Sequence, residues 1–367
     1  MTRTSHPTRT RLAIALFGAL LCNGAAAQET QGRPSFQPDG SVIVPAFHLP
    51  PSTYLSEEAR AAMRVRAALP SGSSGATRGF TIEELRANTE KALASRVQAM
   101  LDRYPVKVED STVDGVPVKV FTPAAGEPHP ERLLINLHGG AFQTCWPSCA
   151  LLESAPIAAT GRVKVISVDY RQGPEYTFPA ASEDIEKVYR AALRKYRPQK
   201  VGIFGCSAGG VLTAQAVAWI QDKKLPLPGA IGIFGAAAGR AGRGDSAYTA
   251  AYIGGEFPPP ADENGSIDVT PPGIRSYFEG ADLSSPLVSP VESAQVIAGF
   301  PPSLLVTGTR AMDLSGTVHS HFTMKKQGVN AELLVAEGLG HCYIYDASLP
   351  EARDTIDMIA DFFDRHL

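Results

Sequence analysis

An excess of charge of one sign is what this sequence most clearly lacks. Its 34 basic residues stand against 37 acidic ones for a net of −3, and no basic stripe marks a nucleic-acid partner. Aromatics are 8% of the chain and scattered, so no stacking platform for bases is evident either. Cysteine is scarce. The five present have no companion Cys or His at finger-like spacing, which excludes a structural zinc site and a dense disulfide scaffold. Also missing is any uninterrupted apolar run of the ~20 residues that a bilayer-spanning helix needs.

The run Leu12 to Cys22 is about half that length and belongs to a targeting pattern. Arg3, Arg9 and Arg11 precede it, and Ala25-Ala26-Ala27 supplies small residues for cleavage before Gln28. Residues 1–27 are therefore expected to be a signal peptide, with the mature chain exported, periplasmic or secreted, and without a stable membrane span. A short membrane anchor is the competing reading; a lipid on Cys22 is disfavoured by the bulky Leu21 before it. Removing the segment takes three arginines and no acid, leaving a net of −6. Of the four remaining cysteines, Cys145 and Cys149 have three residues between them. In an oxidising compartment they can close a small disulfide if the turn brings their Cβ atoms together, and two buried thiols are the alternative. Cys206 and Cys342 each stand isolated in apolar surroundings.

Residues 28–50 are polar, rich in Pro and Gly, aperiodic, and read as a linker. From 51 to 104 the pattern is helical, broken at Pro70–Gly75. Thr81 is the expected N-cap of the second helix, with Glu83 and Glu84 in its first turn and Leu85, Leu93, Val97 and Leu101 along one face. From 105 onward the texture alternates. Val116–Thr122 reads as an early antiparallel strand. Short apolar runs at 133–137, 163–168, 201–204, 230–234, 303–306 and 331–335, separated by helical stretches, are what strands buried on both faces of a parallel sheet look like. A helix with Ile185, Val188, Tyr189, Ala192 and Tyr196 on one face lies among them, and another is expected over 350–366. The Gly- and Pro-rich segment of about 240–300 interrupts the alternation as an insertion. The fold class is α/β.

Three loops at the predicted strand ends carry chemistry. Gly205-Cys206-Ser207-Ala208-Gly209 lies between a strand and a helix. A serine on so sharp a turn leaves no room for side chains two positions away, hence Gly205 and Gly209. The helix that follows aims its positive end at the site. His138-Gly139-Gly140-Ala141-Phe142 follows the strand 133–137. Amides of consecutive glycines can point at one oxygen, so Gly139, Gly140 and Ala208 are the expected oxyanion donors, with His138 propping the loop. His341, in Glu337-Gly338-Leu339-Gly340-His341, follows the last strand and is the histidine placed to act as a base.

Together these residues resemble the hormone-sensitive-lipase-like group of α/β hydrolases, which includes many bacterial carboxylesterases. The resemblance rests on His138-Gly139-Gly140, on Asp169-Tyr170-Arg171 with Pro174-Glu175 and Phe178-Pro179-Ala180, on Gly205-x-Ser207-Ala208-Gly209-Gly210 and on the His341 loop. It covers about 200 residues of the C-terminal two-thirds. It implies an α/β-hydrolase domain over 105–367 with a mostly parallel sheet, and a helical cap to which 51–104 contributes. It implies hydrolysis of a small-molecule ester, with short acyl chains typical, through an acyl-enzyme on Ser207 with His341 as base, and neither cofactor nor metal. The sequence departs from the group at Ala141, where a third glycine is usual, at Cys206, often an acid, and at Ala311, where the group commonly has its aspartate. Asp313, two residues on, is the expected acid, with a helix cap as its other reading and Asp245 and Asp282 as remote second choices. A non-catalytic receptor and an amidase or peptidase on the same scaffold are the rival functions. No oligomeric state follows from the sequence.

Overall fold

A computed structural model describes residues 32–67, 80–239, 244–254 and 276–367. The expected signal peptide, the break at Pro70–Gly75 and the middle of the 240–300 insertion lie outside the described residues.

Residues up to Pro50 form one unit and Pro51–Leu367 another. In the first, the stretch read as a linker contains a short antiparallel ribbon, β1 (Ser35–Phe36) with β2 (Val42–Ile43). Its turn is closed by the Asp39 carboxylate, which accepts the Ser41 amide at 2.9 Å, and by Gly40 in a left-handed conformation.

The second unit is built on eight strands: β3 (Val106–Val113), β4 (Val116–Pro123), β5 (Leu133–Leu137), β6 (Lys164–Val168), β7 (Val201–Cys206), β8 (Ala230–Phe234), β9 (Ser303–Gly308) and β10 (Ala331–Ala336). Their order across the sheet is β3-β4-β6-β5-β7-β8-β9-β10. The pairs β3/β4 and β4/β6 are antiparallel and all others parallel. Every residue of β5, β7, β8 and β9 is buried, as helices on both faces require. Alternation divides the core in two. Leu133, Ile135 and Leu137 pack on one face with α4 (Ala180–Leu193) and α5 (Ala208–Asp222), while Leu134 and Phe204 pack on the other with α3 (Ser148–Gly161) and α9 (Pro350–His366).

The N-terminal helices α1 (Glu57–Ala67) and α2 (Ile82–Arg103) join the α3 side, where Leu55, Ala59 and Met100 are buried. Thr81 forms the expected capping box with Glu84: its side chain accepts the Glu84 amide at 3.2 Å and its own amide donates to Glu84 Oε2 at 2.9 Å. The described parts of the insertion include α6 (Asp245–Ile253) and α7 (Ala294–Ala298). Helix α8 (Leu314–Lys326) then leads into β10. The loops that carry chemistry all leave the carboxyl ends of β5, β7, β9 and β10, which converge because these strands are parallel.

Candidate active site

Ser207 occupies the turn between β7 and α5 with φ 60° and ψ −123°, a left-handed position that a side-chain-bearing residue adopts only under constraint. The constraint is visible on both sides. A Cβ on Gly205 would stand 2.1 Å from the Leu137 carbonyl oxygen, and one on Gly209 would stand 1.8 Å from the same atom. The Ser207 amide donates to the Phe234 carbonyl at 2.8 Å, pinning the turn to the end of β8. Helix α5, buried along nearly its whole length, starts at Ala208 and directs its positive end to the serine.

His341 comes from the loop after β10. Its Nε2 lies 3.0 Å from Ser207 Oγ and its Nδ1 lies 2.7 Å from Asp313 Oδ1. A carboxylate only accepts, so Nδ1 carries the proton and Nε2 offers its lone pair to the serine hydroxyl. The sequence-expected Ser207, His341 and Asp313 are thus brought together. Asp313 makes no side-chain cap to α8. Its second oxygen accepts from Thr307 Oγ1 of β9 at 2.6 Å, so strand and helix together aim the first at His341. Ala311, at the position where an aspartate is usual, is buried in the turn. The exposed Asp282 is occupied by its own turn, accepting from Ser284.

The loop after β5 departs from expectation at one donor. The Gly139 amide is committed to Glu153 Oε1 at 2.8 Å, which removes it from the expected oxyanion set and leaves Gly140 and Ala208. Gly140, at φ 114°, admits no side chain: a Cβ would sit 2.0 Å from the Thr144 carbonyl oxygen. His138 is fully buried and stacked on Tyr170 with centroids 4.4 Å apart. Its Nδ1 lies 2.6 Å from the Gly139 carbonyl, which only accepts, so the ring holds the loop as a donor. Burial lowers its pKa to about 4, hence it is neutral. Phe142 fixes the far side of the loop, stacked on Tyr277 of the insertion at 4.8 Å and edge-on to Phe278.

Two features were not read from the sequence. Glu153 of α3 is the first. Its carboxyl accepts from the Gly139 amide, the Cys206 amide (3.1 Å), Asn136 Nδ2 (2.8 Å) and the Tyr345 hydroxyl (2.6 Å). It thereby ties the loops after β5, β7 and β10 to one buried point. Burial pushes its pKa up to about 7 against the pull of these four donors. An acid alone in the apolar run Ala150–Ala155 was the available signal. The second is sulfur. The Cys145–Cys149 disulfide is formed, and Cys206 and Cys342, expected to stand isolated, are also bridged. Adjacency was the available signal: Cys206 precedes Ser207 and Cys342 follows His341, so a contact between serine and histidine brings the cysteines into the same region.

The N-terminal helices reach two of these loops. Leu55 packs where a Cβ on Gly338, in the loop of His341, would come within 2.9 Å. On α2, Arg86 donates to the Gln143 carbonyl at 2.8 Å, and Glu90 accepts from the Ser148 amide and hydroxyl.

A fold of this topology, with a serine, a histidine and an aspartate at its strand ends, is that of the α/β hydrolases. The model of the alpha/beta hydrolase fold family matches residues 134–345, and the chain belongs to that family. Among solved structures it is similar to esterase E25, with TM-score 0.75 and 29% identity over 89% of this chain and 99% of that one. It is also similar to an esterase of the bacterial hormone-sensitive lipase family, with TM-score 0.68 and 25% identity over 84% of this chain and 98% of the other. The chain is thus of the hormone-sensitive-lipase-like group that its motifs resemble. Arylacetamide deacetylase of Oryctolagus cuniculus is 38% identical over 120 residues, 30% of either chain. The match spans 30%, 41% and 56% of the lengths of three curated relatives.

Proposed function

We propose that this protein is a serine carboxylesterase that hydrolyses small-molecule esters of short acyl chain through an acyl-enzyme on Ser207. The observation that carries the reading is the continuous relay Ser207 Oγ, His341, Asp313, with contacts of 3.0 and 2.7 Å. His341 Nε2 takes the hydroxyl proton as the oxygen attacks the ester carbonyl. The amides of Gly140 and Ala208 receive the oxyanion, each worth on the order of 3 kcal/mol of transition-state stabilisation. The imidazolium, its charge balanced by Asp313, protonates the leaving alcohol, and a water repeats the cycle on the acyl group. The short-acyl assignment is supported by a relative named a deacetylase. The described residues of 51–104 frame the site from the α3 side, through Leu55 at the His341 loop and Arg86 and Glu90 at the loop after β5. Export of the mature chain is supported by the N-terminal pattern and by two disulfides, which persist in oxidising compartments.

The test is a serine-reactive fluorophosphonate together with initial rates on an aryl acetate and the matching anilide. Stoichiometric labelling that is lost in Ser207→Ala, with turnover of the ester far exceeding that of the anilide, is expected. Absence of labelling favours a receptor on this scaffold, and comparable anilide turnover an amidase.

A further inference from the structure

We propose that the Cys206–Cys342 disulfide is a positioning pair that holds His341 against Ser207, so that a small dithiol reversibly lowers turnover without unfolding the enzyme. The inference rests on the triad reading above and adds to it a covalent part.

The bridge joins the residue before the nucleophile to the residue after the base, with the two Cα atoms 6.5 Å apart. The Cys342 sulfur lies 3.6 Å from His341 Nε2, against the nitrogen that receives the serine proton. The other anchors of this loop sit to either side of the histidine. The Gly338 amide donates to Thr309 Oγ1 and the Leu339 carbonyl accepts the Arg310 amide on one side, while on the other the Cys342 carbonyl accepts the Tyr345 amide and the Tyr345 hydroxyl reaches Glu153. Between them the imidazole contacts Asp313 Oδ1 and Ser207 Oγ, with the bridge next door. Cys342 itself has φ 49°, a reversal that a non-glycine residue keeps only where its surroundings impose it.

The space around the bridge is full. Gly235, just past β8 at φ 54°, lies beneath it, and a Cβ there would come within 3.0 Å of the Cys342 sulfur, 3.2 Å of the Cys206 sulfur and 3.3 Å of His341 Cε1. Sulfurs and imidazole therefore share one wall. Two thiols cannot remain at bonding distance. On reduction the sulfurs must separate, and Cys206 cannot give way because it is fully buried and its amide is held by Glu153. Cys342, partly exposed, moves instead, and His341 moves with it.

The chemistry is thiol–disulfide exchange with a dithiol as reductant. A reagent thiolate attacks Cys342 Sγ and Cys206 leaves as thiolate. The reagent's second thiol then displaces Cys342. Two electrons and two protons pass to the cysteines, and the reagent ends as a cyclic disulfide.

Wild type is assayed oxidised, after dithiothreitol, and after reoxidation, with the opened bridge identified by alkylation and mass and the fold followed by circular dichroism. Because a displacement of about 1 Å costs on the order of 100-fold, kcat is expected to fall about 10- to 100-fold on reduction and to recover on reoxidation. KM should change less than about threefold, since the loss is in the transition state. The double variant Cys206→Ala/Cys342→Ala should start from the low kcat and ignore dithiothreitol, whereas Cys145→Ala/Cys149→Ala should still respond. Reduced enzyme with the 206–342 bridge demonstrably open and kcat intact overturns the inference, as does a response that follows the 145–149 bridge. Oxidised wild type that neither labels at Ser207 nor turns over esters sinks the triad reading itself, a result distinct from these.

Discussion

At the scale of single residues, the site depends on three side chains whose surroundings the structure makes explicit. Asp313→Asn keeps the shape but reverses the donor at Nδ1, so His341 takes the wrong tautomer; kcat is expected to fall about 10⁴-fold with KM little changed, read from steady-state rates. Glu153 and His138 titrate oppositely. The Glu153 carboxyl, raised from 4.5 to about 7 by burial, binds its proton more tightly folded than unfolded. Its contribution to stability is full below pH ~4.5 and is lost as pH rises through ~7. His138, lowered from 6.5 to about 4, contributes fully above pH ~6.5 and loses that contribution as pH falls through ~4. Each shift is worth on the order of 3 kcal/mol, and between pH ~4.5 and ~6.5 the two slopes cancel. Glu153→Gln removes one of them. Urea unfolding of this variant should then show stability falling by roughly 3 kcal/mol more than that of wild type from pH 6.5 to 4.5. Equal slopes in the two proteins refute the opposition. Of Glu153's four partners three are N–H groups; the Tyr345 hydroxyl alone is able to accept the proton when the carboxyl takes one up.

Among elements, what was readable depended on how burial was distributed. Strands β5, β7 and β8 announced themselves as apolar runs because both their faces are covered, and α9 did so because Ile356, Ile359 and Phe363 fall on one buried face. Strand β3 went unread: it is an edge strand, mostly exposed, and Val-Lys-Val-Glu-Asp-Ser-Thr-Val carries little apolar signal. Helix α3 went unread for the opposite reason. Ten of its residues are buried, so it has no polar stripe to set a 3.6-residue period, and Pro156 lies inside it. With α3 went Glu153. Ser207 and His341 were readable because they lie in loops whose glycines and strand context are local, and Asp313 only through the family resemblance, whereas a pair 136 residues apart such as Cys206–Cys342 has no local pattern. The capping box of α2 was local and was read; Thr81→Ala should cost ~1 kcal/mol in thermal or urea unfolding. At the crossing of β5 and α5, Gly209→Ala forces a methyl to 1.8 Å from the Leu137 oxygen. Loss of folded protein, or of fluorophosphonate labelling in what folds, is the expected outcome, and normal labelling refutes the argument.

For the whole molecule, no helix among the described residues is long and apolar enough to cross a membrane. The architecture draws its chemistry from segments far apart in the chain: α3, the turn at 207, the turn at 313 and the loop at 341 are carried to one end of the sheet by parallel strands. The 206–342 bridge closes the last three of these, but not α3, into a macrocycle that contains the serine, the aspartate and the histidine together. Scission of one peptide bond anywhere from 207 to 341 therefore yields two fragments that stay covalently attached. Such clipped protein should migrate as a single band in denaturing gels without reductant and as two with it. A nick inside the ring severs the backbone yet leaves all three side chains of the proposed triad on one molecule.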